Sequence, residues 1–219
     1  MALITQRDEL LEAVKEMDRL GLVSGSSGNA SVRIDVPGSP NAFLVTPAGL
    51  PYPPMTSDQL VAVDDDLNPI DGDGVPSSES LLHLAIYRAR PDINAVMHTH
   101  SVHATALGVA GQPLQPIVDE LVVYVGGQVE IAKYGFPGTE ALAQAGVDAL
   151  GDRRAVLIPH HGMFAVSDTV SEALRVCALV ERVAQVFINA EAIGGAKEVP
   201  EESFKAERRM YLERSGLGQ

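Results

Sequence analysis

Apolar residues recur every three to four positions in six segments of the chain, which is the spacing of one buried face of a helix. In the first segment the apolar positions are Leu10, Leu11, Val14, Met17 and Leu20, followed by the helix-terminating Gly21. The pattern predicts helices over residues 5–20, 78–89, 102–110, 138–150, 169–193 and about 200–214. Thr5 and Thr139 are expected to cap the first and fourth of these helices.

Short apolar or alternating runs lie between the helices and predict strands. They cover residues 30–34, 42–46, 60–64 and 93–100, and residues 155–167 predict two strands broken at a His-His-Gly sequence. Residues 120–134 predict two more strands about a Gly-Gly turn, and residues 68–74 predict an acidic turn. Short strands with flanking helices favour one α/β domain whose sheet is largely antiparallel or mixed.

The composition argues against several classes of protein, including those that bind nucleic acid, contain disulfides or span a membrane. Among 219 residues there are 16 Lys and Arg against 29 Asp and Glu, a net charge of −13, and there is no Trp. This balance disfavours a nucleic-acid partner, which requires clustered cations or stacking aromatic residues. The single cysteine, Cys177, excludes an intramolecular disulfide and a multi-cysteine metal site. No apolar run approaches the roughly 20 residues of a membrane span, and the acidic N-terminus is unlike a signal peptide, so we expect a cytoplasmic protein with no membrane contact.

The six histidines supply the first candidate chemistry. His98 and His100 end a predicted strand, where residues i and i+2 point to the same face and can converge on one cation. His160 and His161 are adjacent at the end of another strand, so only one of them is expected to join the pair. Three histidines around Zn²⁺ leave one position open, as in catalytic zinc sites. The two remaining histidines, His83 and His103, lie on predicted helices and are interpreted as structural.

Two small-residue segments are candidates for holding an anion. Ser77 and Ser78 precede a predicted helix, where the helix dipole favours negative charge, and Glu79 follows them in the first turn. The alternative is a plain helix cap with a dipole-favoured carboxylate. The second segment, GSSGNAS at residues 25–31, combines glycines with polar donors, and its alternative is a turn into a strand. It lacks the lysine of a nucleotide-binding P-loop.

Four motifs in this order resemble the class II aldolase/adducin family, and most closely its sugar-1-phosphate aldolases of the fuculose-phosphate type. The motifs are RLGLVSGSSGNASVR (19–33), LVTPAGLPY (44–52), PSSESLLHLAIYRARPDINAVMHTHSVHATAL (76–107) and HHGMFAV (160–166). The resemblance implies a single three-layer α/β/α domain over residues 1–219 with a mixed, largely antiparallel central sheet. It also implies a homotetramer with active sites at the subunit borders.

The resemblance assigns residues to roles. It implies that His98, His100 and His161 bind a divalent metal, normally Zn²⁺ with Mn²⁺ or Co²⁺ as alternatives, and that Glu79 is the acid/base and a further ligand. The substrate phosphate is expected against Ser26, Gly28, Asn29, Gly49, Ser77 and Ser78. Where the family has a Thr-Pro-Thr-Gly loop this chain has Ala48, so one hydroxyl donor is missing.

Two family tyrosines are replaced here. The one thought to protonate the aldehyde oxygen falls on Glu120, next to Asp119, which suggests Glu120 as the second catalytic residue; a solvated turn is the alternative. The other falls near Ser215, with Tyr211 close by. The expected activity is zinc-dependent cleavage of L-fuculose 1-phosphate, or of a related ribulose or 5-deoxyketose 1-phosphate, to glycerone phosphate and an aldehyde.

Other activities of the same family remain as alternatives. The 4-epimerases usually have Asp at the position of Glu79, and the decarboxylases usually have Thr-Lys-Glu in place of Ser77-Ser78-Glu79. The methylthioribulose-1-phosphate dehydratases use a glutamate in the region of Glu120, which this chain has. Adducin-like interaction domains lack the full set of metal histidines, which is present here.

Overall fold

The structure is a computed structural model that describes residues 2–218. Within these residues it contains seven α-helices and seven β-strands. The helices are α1 (Ala2–Arg19), α2 (Ser80–Ala89), α3 (Val102–Ala110), α4 (Asp119–Val125), α5 (Glu140–Leu150), α6 (Val170–Ala192) and α7 (Glu201–Arg214). The strands are β1 (Asn29–Arg33), β2 (Phe43–Val45), β3 (Val61–Val63), β4 (Pro69–Asp71), β5 (Ala95–Thr99), β6 (Ala155–Ile158) and β7 (Gly162–Ser167).

The strands form one sheet in the order β4-β3-β2-β1-β5-β7-β6, and every neighbouring pair is antiparallel. Among the described residues, parallel pairing is confined to one isolated bridge between Ile131 and Leu157. The predicted α/β fold with a largely antiparallel sheet is therefore confirmed. Strands β1 and β5 lie in the middle of the sheet, so residues at the start of β1 and at the end of β5 are held by neighbouring strands on both sides.

Alternating strand residues separate two apolar cores. On one face, Ala30, Met97, Leu157 and Ala165 join apolar residues of α1, α3, α4 and α6. On the other, Val45, Val96, Val156 and Val166 join α2 and α5. Period-two alternation sends successive side chains to opposite faces, so each strand serves both cores. The result is the three-layer α/β/α arrangement that the resemblance implies.

The prediction of two strands over residues 120–134 is wrong. Asp119–Val125 is helix α4, and residues 128–134 take part only in isolated bridges. The valine-rich sequence favours a strand by propensity, but the burial of Leu121, Val122 and Val125 follows helical spacing. The acidic residues of the first turn suit a helix N-terminus, and Gly126, with φ of 100°, ends the helix in a left-handed conformation.

The acidic turn predicted over residues 68–74 contains a short edge strand instead. Pro69–Asp71 pairs with β3, and all three of its residues are exposed. An exposed strand of three residues shows no apolar alternation, so its sequence carries no strand signal. The remaining predicted helices and strands are present with end shifts of a few residues. None of the helices within residues 2–218 has the length and apolarity to cross a bilayer.

Candidate metal centre and anion pocket

Three predicted ligands come from the ends of two neighbouring strands. His98 lies in the central strand β5, in register with Asn29 of β1 on one side and Phe164 of β7 on the other. His100 follows directly after β5, and His161 precedes β7. Because β5 and β7 are antiparallel, the end of one meets the start of the other, and the three imidazoles lie together.

Glu79 completes a cluster of four side chains with His98, His100 and His161, whose ligand atoms all lie within 4.8 Å of one another. The Nε2 atoms of His98 and His100 are 2.9 Å apart. One carboxylate oxygen of Glu79, Oε2, lies 3.0 Å from His98 Nε2, and the other, Oε1, lies 3.4 Å from His161 Nε2. The structure thus brings together the four residues that the sequence assigned to a metal.

The surrounding backbone fixes the orientation of His98. Its Nδ1 lies 2.9 Å from the carbonyl oxygen of Met163, which can only accept, so Nδ1 carries the proton. In the neutral ring Nε2 is then a free lone pair directed into the cluster. The ring is fully buried and stacks on Phe164 with the ring centroids 4.2 Å apart. A carbonyl partner on the outer nitrogen is how proteins orient metal-binding histidines.

A tight turn decides which of the two adjacent histidines joins the cluster. His160 has a φ of 59° and is exposed, whereas His161 points inward. Gly162 follows, and a Cβ there would lie 2.1 Å from the carbonyl oxygen of Thr99. The close approach of β7 to β5 therefore requires glycine. The choice between His160 and His161 that the sequence left open is resolved in favour of His161.

The protonation states of His100, His161 and Glu79 favour binding of a cation by the cluster. Burial lowers the pKa of His100 to about 4 and also lowers the pKa of His161, so both side chains are neutral near pH 7. Burial alone raises the pKa of Glu79, but His98, His161 and Asn29 outweigh it and hold the pKa far below the usual range. Glu79 Oε1 is buried with no hydrogen-bond partner. Three imidazoles and one carboxylate with an unsatisfied oxygen are a donor set that fits Zn²⁺.

A cavity of about 200 Å³ opens beside this cluster. It is lined by all six residues predicted to hold the phosphate, together with three of the cluster residues: Ser26, Gly28, Asn29, Gly49, Ser77, Ser78, Glu79, His100 and His161. Pro47, Ala48 and Pro137 complete the wall, so neither Lys nor Arg is among the described residues that line it. An anion in this cavity would therefore meet neutral donors and the start of α2, with no cationic side chain in the lining.

The loops around the cavity are tied to one another. The Tyr52 hydroxyl donates to the carbonyl of Gly28 at 2.7 Å, and the backbone N–H of Ser77 donates to the carbonyl of Thr46 at 3.2 Å. The Thr46 hydroxyl in turn accepts from the N–H of Ala30 at 3.2 Å. Sequence reasoning gave Tyr52 and Thr46 no role, although both stand in a quoted motif and are polar residues in an otherwise apolar loop.

Residues 8–188 match the family model described as Class II Aldolase and Adducin N-terminal domain. The chain belongs to this class II aldolase and adducin family. The match runs from within α1 to within α6, and so includes every residue of the metal cluster and of the cavity wall.

Three of the similar proteins are named as aldolases. The L-fuculose phosphate aldolase of Escherichia coli strain K12 is 36% identical over 84% of this chain and 83% of its own length. The 5-deoxy-D-ribulose 1-phosphate aldolase of Bacillus thuringiensis serovar kurstaki is 35% identical over 94% of both chains. A solved L-fuculose 1-phosphate aldolase has a TM-score of 0.88 at 29% identity, covering 94% of this chain and 96% of its own. The predictions of the family and of an aldolase enzyme are confirmed.

Glu120 and Tyr211, which stand at or near the positions of the two replaced family tyrosines, lie in a different part of this class II aldolase. Glu120 lies in the first turn of α4, pairs with Arg182 at 3.1 Å and lines a separate cavity with Tyr124 and Arg175. Tyr211 is 1% exposed and donates its hydroxyl to the carbonyl of Asp152 at 2.6 Å. Neither residue lines the cavity beside the metal cluster in its own chain.

The other two histidines lie outside the cluster, as expected. His103 Nδ1 lies 2.7 Å from Glu181, and the same carboxylate accepts the backbone N–H groups of His103 and Ala104 at the start of α3. His83 is fully buried on α2, with partners on β1. Among the residues that the structure describes, the cluster that could hold a metal includes neither His83 nor His103.

Proposed function

We propose that this class II aldolase is zinc-dependent and cleaves a ketose 1-phosphate between C3 and C4, giving glycerone phosphate and an aldehyde. The observation that carries the proposal is that the three-histidine and glutamate cluster borders a cavity that is also lined by serine hydroxyl groups and glycine turns. A cation site and an anion site share one cavity large enough for a small phosphorylated sugar.

The phosphate end of the substrate fits the part of the cavity formed by the two serines and the glycine turns. Ser77 is buried, and its Oγ already accepts the backbone N–H of Glu79 at 3.3 Å, so its hydroxyl hydrogen is free for an anion. Gly28 and Gly49 have φ of 72° and 75° and present backbone without side chains to the cavity. Fixing the phosphate here orients the reacting carbons toward the cluster without touching them.

Glu79 is the proposed acid and base. In cleavage the electron pair of the C3–C4 bond passes to C3 and its adjacent carbonyl, the C4 hydroxyl loses its proton, and C3 gains one. The C4 hydroxyl proton passes to the group that protonates the aldehyde oxygen in condensation, and C3 takes its proton from the acid form of Glu79, which then regains one from water. In condensation the ionised Glu79 removes that proton from C3. The carboxylate is ionised in the resting protein and only 6% exposed, which suits a base for the condensation direction.

The histidines would hold the metal, and Zn²⁺ is the proposed ion because three imidazole nitrogens and one carboxylate are its preferred donors. When bound, the ion supplies Lewis-acid stabilisation of the charge that develops on the substrate oxygens. The protein's own contribution is to hold the nitrogen donors of His98, His100 and His161 together where β5 ends and β7 begins.

We propose Glu120 as the proton donor to the aldehyde oxygen, acting across a subunit border. It lies outside the cavity of its own chain, so this role requires a neighbouring subunit, and we propose a homotetramer as the working state. Mass measurement by light scattering tests the assembly. If the protein is a monomer at assay concentration, Glu120 has no route to the site.

The test of the function is cleavage of fuculose, ribulose, rhamnulose and 5-deoxyribulose 1-phosphates by metal-free protein reloaded with Zn²⁺, Mn²⁺ or Co²⁺. Glycerone phosphate is measured by its enzymatic reduction. Two neighbouring variants make a matched pair: His161→Asn is expected to abolish zinc-dependent cleavage, and His160→Asn, at an exposed position with positive φ, is expected to keep it. Failure of every sugar phosphate with every metal would refute the aldolase assignment.

Product analysis separates the other activities of the family. A 4-epimerase releases no glycerone phosphate, a decarboxylase releases CO₂, and a dehydratase gives a product one water lighter. The relatives include proteins of Escherichia coli and Rhodospirillum rubrum named 5-methylthioribulose-1-phosphate/5-deoxyribulose-1-phosphate aldolase, which supports testing 5-substituted ribulose 1-phosphates alongside fuculose 1-phosphate.

A further inference from the structure

Five polar side chains cross the apolar layer between β1 and α2 and end at Glu79. Tyr87, Ser31 and His83 are fully buried, and Asn29 is 4% exposed. Together they form a chain of hydrogen bonds. Its distances are 2.8 Å from the Tyr87 hydroxyl to Ser31 Oγ, 2.6 Å from Ser31 Oγ to His83 Nδ1, 2.5 Å from His83 Nε2 to Asn29 Oδ1, and 2.9 Å from Asn29 Nδ2 to Glu79 Oε2.

This chain of hydrogen bonds forms because side chains on α2 and on β1 repeat at nearly the same distance. Glu79, His83 and Tyr87 are four residues apart along α2 and its cap, so they form one stripe with a repeat of about 6 Å. Asn29 and Ser31 are two residues apart on one face of β1, a repeat of about 6.8 Å. Because the repeats nearly agree, helix and strand residues alternate along the chain as they would in a zipper.

Each hydrogen bond in the chain has only one possible direction. An ionised carboxylate only accepts, so Asn29 directs its amide N–H to Glu79 and its carbonyl to His83, which must donate from Nε2. A buried imidazole is neutral and has a single proton, so His83 Nδ1 accepts from Ser31. Ser31 then accepts from the Tyr87 hydroxyl. The direction of the hydrogen bond at Glu79 and the tautomer of His83 are therefore coupled, and a change in one requires a change in the other.

We propose that His83 is a positioning residue for Glu79 and acts through Asn29; this rests on the proposed role of Glu79. The Nε2 proton prevents the Asn29 amide from turning its carbonyl toward the carboxylate. With Oε2 held by Asn29, the other oxygen, Oε1, faces His161 and has no hydrogen-bond partner. The carboxylate is thereby held in one rotation, with Oε1 available to the metal and to the substrate.

An alternative role would be purely structural. Four buried polar groups cost desolvation energy in a layer that apolar residues fill elsewhere, and for stability alone an apolar side chain of similar shape would serve. A positioning role differs from this in what it requires: a donor at the Nε2 position rather than packing volume. Two substitutions of His83 separate the two requirements.

The experiment compares His83→Leu, which fills space without a donor, with His83→Gln, whose amide nitrogen can occupy the place of Nε2. Zinc affinity is measured by competition with a chelator, and kcat and KM are measured on the best sugar phosphate. We expect His83→Leu to lose about 10–100-fold in zinc affinity and in kcat with KM unchanged, and His83→Gln to recover most of both losses. Equal losses in the two variants would overturn the proposal.

A spectroscopic readout on the unsubstituted zinc-loaded protein does not depend on catalysis or on a variant that folds. Long-range ¹H–¹⁵N spectra of histidine-labelled protein report which ring nitrogen carries the proton. We expect a neutral His83 with the proton on Nε2. A proton on Nδ1 would contradict the hydrogen-bond directions assigned from Tyr87 to Glu79. If the protein binds zinc and shows this tautomer but cleaves no sugar phosphate, the proposed function fails, and the zinc affinities of the two variants still decide the role of His83.

Discussion

Gly28 is the position where a single added carbon tests the geometry of the site most directly. It stands in the turn before β1 with a φ of 72°, and a Cβ there would lie 2.6 Å from the carbonyl oxygen of His98 and 2.6 Å from Val23 Cγ1. Gly25, three residues earlier in the same turn, has a φ of 67° and open space where its Cβ would be. Gly25→Ala and Gly28→Ala therefore impose the same backbone strain, but only the Cβ of Gly28→Ala collides with neighbouring atoms.

The expected magnitudes follow from these two contributions. Placing a side chain in the left-handed region costs about 1–2 kcal/mol, and both variants incur this cost. Forcing an extra carbon into a packed site adds about 1–3 kcal/mol, and only Gly28→Ala incurs it. The backbone carbonyl of His98 cannot rotate away, since β5 is held between two strands. We expect losses of about 1–2 kcal/mol for Gly25→Ala and about 2–5 kcal/mol for Gly28→Ala.

Urea denaturation of the metal-free proteins at one protein concentration measures both values. A fixed concentration is required because an oligomer's apparent stability depends on it. The slopes of unfolding free energy against urea should agree, so that the midpoints report stability. Equal destabilisation by the two variants would refute the close approach of the turn to His98. In the active protein, Gly28→Ala should also raise KM for the sugar phosphate more than Gly25→Ala does.

Three further predictions concern the cluster, the cavity and the buried histidine. Glu79→Gln should lower kcat about 10²–10⁴-fold in the reloaded enzyme, measured by glycerone phosphate release, and an unchanged kcat would exclude Glu79 as acid and base. Ala48→Thr should lower KM for the sugar phosphate by adding a hydroxyl donor, whereas Ala48→Val, of the same shape, should not. His83 has its pKa lowered to about 3 by burial, so it favours folding above pH 6.5, and that contribution is lost as the pH falls toward 3, by about 1.4 kcal/mol per unit. Urea midpoints of metal-free protein at pH 7 and pH 5 should show a smaller decrease for His83→Gln, and equal decreases would contradict the burial of a neutral imidazole.

The sequence was most informative where a residue's chemistry and its chain position pointed the same way. The pair His98 and His100 ends a strand whose apolar run is unambiguous, and i, i+2 geometry alone places both side chains on one face. The four cluster residues and the six cavity residues could be named in advance because they stand in contiguous motifs that resemble those of the family. The meeting of β5 and β7, which brings His161 to the other two, depends on strand pairing that no local pattern specifies.

The failures have physical causes as well. Residues 119–125 are rich in β-branched side chains, which favour a strand locally, yet tertiary packing of Leu121 and Val125 and of the neighbouring α7 selects a helix. The short edge strand at residues 69–71 had no apolar pattern to detect.

The polar chain behind Glu79 shows a signal that was present in the sequence and not used. Glu79, His83 and Tyr87 recur at i, i+4 and i+8 on the face of α2 that is otherwise apolar, and a polar stripe on a buried helix face must find polar partners. The sequence could have predicted that such partners exist, but not that they are Asn29 and Ser31. That pairing depends on where α2 begins relative to the sheet, and a bridge between Pro47 and Pro76 joins the segment before α2 to the loop after β2. The same bridge lies beside the cavity wall at Pro47 and Ser77, so the segment that lines the cavity also leads directly into α2.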